Sequence, residues 1–203
     1  MKRSILITLL LISLSFLSNA QILTEVDEIA PFQEGLAAVK KGNSWGFINN
    51  NGTLILDYRK DLVVPPNGAP LFNDGLCLVQ EVRDGITFYG YINTKGDKVI
   101  PADYLVATPF ENGFARVIKY YKEDTGAINA LGKNIVNYSY NELVIDTKNE
   151  IIQHLRGPNN LLLDSLKLKQ NPPTILSKFI NDSLIALRKK DNTYTVYKLH
   201  KSK

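Results

Sequence analysis

From residue 31 to about residue 140 the apolar positions recur every second residue in short runs, not every third or fourth. Leu36, Ala38 and Lys40 fall on one side of a run and Ala37 and Val39 on the other. The same division separates Leu76, Leu78 and Gln80 from Cys77 and Val79, and Phe114, Arg116 and Ile118 from Ala115 and Val117. A period of two predicts β-strands. The face of small residues and valine is the constant one, as a core shared between stacked units requires. Second strands are predicted at 45–49 and 89–93, and third strands at 53–57, 98–100 and 134–137. Asn51-Gly52 and Lys95-Gly96 separate second from third strands; Asn-Gly predicts a tight hairpin turn with positive φ at both positions.

The strands belong to a repeat. Gly35, Val39, Gly46, Ile48, Asn49 and Gly52 are answered by Gly75, Val79, Gly90, Ile92, Asn93 and Gly96. A third copy opens at Pro109 with PFENGFARV and keeps Gly126, Ile128, Asn129 and Gly132, but carries Thr125 and Ala127 where aromatic residues stood before. A period of about 40 residues marks a repeat architecture. The expected fold is all-β: tandem three-stranded antiparallel meanders at 31–69, 70–108 and 109–150 in an open, twisted or solenoid-like stack. A small propeller-like arrangement is the alternative. Beyond the repeats, 142–146 and 150–155 read as strands and 161–168 as either a strand or a helical turn. Residues 183–189 and 194–199 read as a closing hairpin, so 151–203 is expected to be a degenerate β cap with a basic tail.

The unit resembles the WG repeat, a bacterial motif of the form F-x-E-G-L-A-x-V, then W-G-[FY]-I-[DN], then glycine and an apolar strand. Phe32-Gln33-Glu34-Gly35-Leu36-Ala37-Ala38-Val39 and Trp45-Gly46-Phe47-Ile48-Asn49 carry the resemblance. The second copy departs at Tyr89, and the third departs further. The resemblance implies a β-rich repeat protein, often exported, with no common catalytic residues.

Residues 1–20 form a unit of another kind. Lys2 and Arg3 precede an apolar run at 5–17 and the small-x-small ending Ser18-Asn19-Ala20, the pattern of a cleaved secretory leader. The run is too short for a membrane span of about 20 residues, and nothing downstream is apolar enough to be one. No cysteine at the junction could accept a lipid, so the expected product is periplasmic or extracellular and not a lipoprotein. Removing Lys2 and Arg3 from the 24 basic residues leaves 22 against 20 acidic ones. The net charge of +4 therefore partly belongs to the leader, and an exported chain gives no reason to expect nucleic acid as a partner. The single Cys77 cannot form an internal disulfide and reads as a small packing residue.

Candidate chemistry is sparse. His154 and His200 have no second ligand at metal spacing, no phosphate loop or H-E-x-x-H helix occurs, and the adjacent carboxylates Asp27/Glu28 and Glu123/Asp124 recur at no repeat position. No cofactor, metal site or catalytic residue is expected. Trp45 and Phe47 share a strand face, as do Tyr89 and Tyr91. These four could line a ligand-binding aromatic ladder or form a second core layer between repeats. The functional expectation is a non-catalytic exported binding or scaffold module for an unknown protein or envelope glycan; the alternative is a glycan-binding or glycan-acting envelope protein using the aromatic face.

Overall fold

The computed structural model describes residues 23–66 and 68–200; the leader expected at 1–20, Asn67 and residues 201–203 lie outside the described residues. The first sheet runs in chain order through β1 (Glu28–Ile29), β2 (Leu36–Lys41), β3 (Ser44–Asn49) and β4 (Leu54–Arg59). The second is a seven-stranded meander of β5 (Phe72–Asn73), β6 (Leu76–Arg83), β7 (Ile86–Asn93), β8 (Lys98–Ala107), β9 (Phe114–Ile128), β10 (Asn134–Asp146) and β11 (Ile151–Leu161). A six-residue helix, α1 (Ser165–Gln170), precedes the third sheet of β12 (Ser177–Asn181), β13 (Leu184–Arg188) and β14 (Tyr194–Lys198). All pairings between these strands are antiparallel, and the described residues form open sheets, as an all-β repeat stack requires.

The meanders of units two and three are joined into one sheet, because β8 and β9 pair at Tyr104↔Lys119, Val106↔Ile118 and Ala107↔Val117. The stretch 161–168 is divided: Leu161 ends β11, and the Asp164 carboxylate accepts from the Lys167 N–H at 2.9 Å to start α1. That is an N-cap, which satisfies a backbone donor the helix itself cannot.

Packing between units follows one rule. In the first core, Trp45, Phe47 and Leu56 of the first unit meet Cys77, Val79 and Ile92 of the second. In the next, Leu78, Tyr91 and Tyr104 of the second unit meet Ala115, Val117, Leu143 and Ile145 of the third. Large side chains on one face thus lie on the small-and-valine face of the following unit. The two ends of the stack are closed differently: Ala37, Val39 and Ile48 are covered by Leu23 and Val26, while Phe114 and Val144 are covered by Ile185, Leu187 and Leu199 of the cap.

Strand register corrects the reading of the third unit. Val39 faces Gly46 and Val79 faces Gly90, and the residue facing Val117 is Leu143. The third counterpart of Trp45–Asn49 and Tyr89–Asn93 is therefore 142–146, not 125–129. Residues 119–141 are an elongated hairpin inserted between the first and second strands of the unit, and 134–137 and 142–146 belong to one continuous β10. Lost aromatic positions at Thr125 and Ala127 follow directly, since these residues lie out on the hairpin and are exposed.

The turns repeat as well. Asn49 Oδ1 accepts from the N–H groups of Asn51 and Thr53, Asn93 Oδ1 from Lys95 and Asp97, and Asp146 Oδ1 from Lys148 and Glu150. Only the fourth turn residue is left-handed, at Gly52, Gly96 and Asn149. The two-residue turn with paired positive φ expected at Asn51-Gly52 is instead a longer loop closed by a side-chain acceptor. Paired positive φ occurs at the openings of the units, at Glu34-Gly35, Asp74-Gly75 and Asn112-Gly113. There each carboxylate reaches the next unit: Glu34 accepts from the N–H groups of Asp74 (2.9 Å) and Gly75 (3.2 Å), and Asp74 accepts from Gly113 (2.8 Å). Asn112 ends the series with a neutral side chain.

The glycine of the W-G pair is there for space. A Cβ on Gly90 would sit 2.5 Å from the Ile100 carbonyl oxygen, and one on Gly46 2.7 Å from that of Leu56, where the partner strand bulges toward it. Gly90→Ala is expected to cost about 2–3 kcal/mol of stability as an overpacking defect, read as a lower urea midpoint at unchanged m-value. Glu34→Ala removes acceptors from exposed amides only and should cost about 1 kcal/mol in the same titration.

Candidate functional site

The four aromatic candidates divide on burial. Trp45, Phe47 and Tyr91 are buried. Phe47 meets Phe72 edge-on with ring centroids 4.7 Å apart, Tyr91 meets Phe110 in the same way, and the Tyr91 hydroxyl donates to the Thr108 carbonyl at 2.6 Å. Burial pushes the Tyr91 phenol well above its ordinary pKa. Tyr89 alone is half-buried, beside a shallow cavity of about 180 Å³ that also touches Leu105 and Pro172. Three of the four rings are thus held inside the stack, and no ladder of open ring faces runs along it.

Polar groups converge elsewhere, at the junction of the third unit and the cap. A half-open cleft of about 570 Å³ lies between Tyr140 on β10, the end of β11, α1 and the segment 171–176. Arg156 and Lys167 bring positive charge to its lining, Asn160 and Asn171 bring amides, and Leu161, Leu168, Pro172 and Leu176 bring apolar wall. Asn171-Pro172-Pro173 cannot continue α1, because proline lacks the N–H and restricts the residue before it, so the chain leaves the helix extended and forms one side of the cleft.

Behind the cleft lies Glu142, fully buried. Its carboxylate accepts from the N–H groups of Leu176 (3.1 Å) and Ser177 (2.9 Å) and forms an ion pair with Arg156 Nε at 3.5 Å. Arg156 Nη2 donates to the Thr174 carbonyl at 2.9 Å, and the guanidinium lies 5.7 Å from the centroid of the Tyr140 ring. From the other strand, Arg116 donates to the Ser177 carbonyl and lies over Phe179. Burial pulls the Arg116 guanidinium below its usual pKa, while the nearby Glu111 and Glu142 charges oppose the shift.

None of these residues was singled out from the sequence, yet a signal was present. In the repeat register Glu142 faces Arg156 as Trp45 faces Arg59 and Tyr89 faces Tyr104. The stretch 145–149, Ile-Asp-Thr-Lys-Asn, parallels Ile-Asn-Thr-Lys-Gly at 92–96. Aligning those two segments places Glu142 at the aromatic position held by Tyr89, and Arg156 is its partner across the next strand pair, as Arg59 is for Trp45. The stretch 42–46 also has G-x-S-x-G spacing, but Ser44 opens β3 just after a hairpin turn, not a strand-to-helix elbow, so the spacing carries no nucleophile geometry. His154 and His200 are exposed, and among the described residues no cluster of three His, Cys, Asp or Glu side chains could hold a metal.

Stacked meanders tied by repeating turns define a β-repeat protein. The family model described as "WG containing repeat" matches residues 22–45 and 89–122; the second match runs from the aromatic-glycine strand β7 through β8 into β9. WG-type repeats thus occur at two places in this chain. No curated protein and no solved structure matches it. Among the described residues no helix is long and apolar enough to cross a membrane.

Cys77 belongs to the first inter-unit core. Burial, countered by Arg59 and reinforced by Asp61, pushes its thiol up to about 12. The native state therefore favours the neutral thiol. Its contribution to stability is complete below the unfolded thiol pKa of about 8.5 and is lost as pH rises from there toward the folded value. At about pH 8.5, where an unperturbed thiol is half ionised, native Cys77 should resist a thiol-specific disulfide reagent and react promptly in concentrated guanidinium. Equal rates in both conditions would contradict its burial.

Proposed function

We propose that this chain is a non-catalytic, exported binding module of the cell envelope in which the WG repeats form a rigid scaffold and the cleft beside α1 receives the partner. One observation carries the reading. Both faces of the repeat strands are engaged in packing, against a neighbouring unit or against the segments that close the two ends, whereas the cleft at 140–176 gathers cationic, amide and apolar side chains around open volume. Concave sites with a few convergent polar groups are where proteins of this size bind small ligands or segments of partners. The leader-like residues 1–20 motivate export, and the absence of a catalytic motif in the sequence motivates a binding role.

Glycan recognition remains the second reading, motivated by the amides of Asn160 and Asn171 in the same cleft. It moves away from the aromatic face, since Trp45, Phe47 and Tyr91 are packed between units. Glycan hydrolysis would require two carboxyl groups about 5 to 10 Å apart across the site, and the described lining of this cleft contains no carboxylate.

The chain from Gln21 onward, immobilised and exposed to envelope extract, should retain a specific protein or glycan. Asn171→Trp, which narrows the cleft from an exposed rim position, should reduce that recovery by about fivefold or more, the equivalent of roughly 1 kcal/mol. Equal recovery by both forms would sink the assignment of this cleft.

A further inference from the structure

We propose that the cleft beside α1 binds an amphipathic carboxylate, its anionic head held by Arg156 and Lys167 and its apolar body lying against Leu161, Leu168 and Pro172. The proposal rests on the reading of the chain as a binding module and names the chemistry of the ligand.

The charge balance supports it. Arg156 and Lys167 line the cleft, and no acidic side chain among the described lining residues offsets them. Two carboxylates lie near it outside the lining: Glu142 is buried and already accepts from two backbone N–H groups while pairing with Arg156, and Asp164 caps α1 by accepting from the Lys167 N–H. Arg116 adds a second guanidinium in the same field. Among the described residues neither Arg156 Nη1 nor Lys167 Nζ has a protein acceptor, although Arg156 Nη2 is anchored on Thr174. Arg156 is therefore held in place with part of its planar fork free, the geometry that suits a carboxylate better than a point charge does.

The walls select the rest of the ligand. They are aliphatic, and the one aromatic ring in the lining, Tyr140, already has the Arg156 guanidinium near its face at 5.7 Å. A sugar ring would find no free platform on which to stack, whereas an alkyl chain needs only leucine and proline. A volume of about 570 Å³ accommodates a ligand of that kind.

Titration calorimetry of the chain from Gln21 onward with sodium decanoate, at low salt and below micelle formation, tests this. Saturable one-to-one binding is expected. Lys167→Glu should weaken it by about fivefold or more, and Lys133→Glu, the same charge change on the distant β9–β10 hairpin, should leave it unchanged. Decanol, which lacks the charge, should bind more weakly than decanoate. Failure of decanoate to saturate, equal weakening by both lysine variants, or decanol binding as well as decanoate would overturn the proposal. Binding of a trimeric galacturonate that depends on Lys167, without decanoate binding, would overturn the ligand class while leaving the cleft as a binding site. The Asn171→Trp comparison then judges the broader reading separately.

Discussion

Large rings can approach a flat face of alanine, cysteine and valine to van der Waals contact, and that contact between successive units is what the rest of this structure depends on. A three-stranded meander alone has no second layer to cover its apolar side. Here Trp45 and Phe47 obtain one from Cys77 and Val79, and Tyr91 obtains one from Ala115 and Val117. Each buried ring is worth about 2–3 kcal/mol, against about 1 kcal/mol for a hydrogen bond from the Glu34 or Asp74 carboxylate to the next unit's turn. Apolar contact therefore supplies the cohesion, and the carboxylates fix the offset between units. The glycine beside the ring belongs to the same requirement, because the bulged neighbouring strand passes where its Cβ would be.

A stack built this way must be stopped, since each added unit presents another open face. Toward the N-terminus, Leu23 and Val26 cover the small face of the first unit. Toward the C-terminus the series Glu34, Asp74, Asn112 runs from charged to neutral. At the aromatic position the third unit replaces Trp45 and Tyr89 with Glu142. Buried, this carboxylate takes the backbone N–H groups of Leu176 and Ser177 and so binds the cap to the stack. Breaking one partner of such a buried pair leaves an uncompensated charge, which makes the junction specific in a way that apolar packing alone is not.

The cleft is a by-product of that termination. The extra length of β9, β10 and β11 carries the third unit beyond its neighbours, and residues 161–175 fold back over the extension, packing Leu161, Leu163, Leu168 and Ile175 near Phe88 and Tyr120. Polar residues that serve the junction, Arg156 above all, then border open space.

Much of the scaffold was legible in the residues themselves. Period-two alternation, the constant small face and the repeated glycines report local and nearest-neighbour geometry, and the all-β open stack follows from them. The third unit's register was recorded too, in the likeness of 145–149 to 92–96, but the more conspicuous Gly126-Ala127-Ile128-Asn129 diverted it. That stretch keeps the turn chemistry without the packing, because turn chemistry depends on a few adjacent residues alone. Which of two similar segments pairs with β9 beside Val117 is decided by which one can bury Leu143 and Ile145 against Tyr91, a contact across more than 50 residues of chain. The junction of Glu142, Arg156 and the 171–176 segment is of the same kind. Sequence by itself determined the unit, its strands and the way it stacks; only the tertiary structure decided where the stack ends and where the cleft opens, because both depend on burial between segments that share no local pattern.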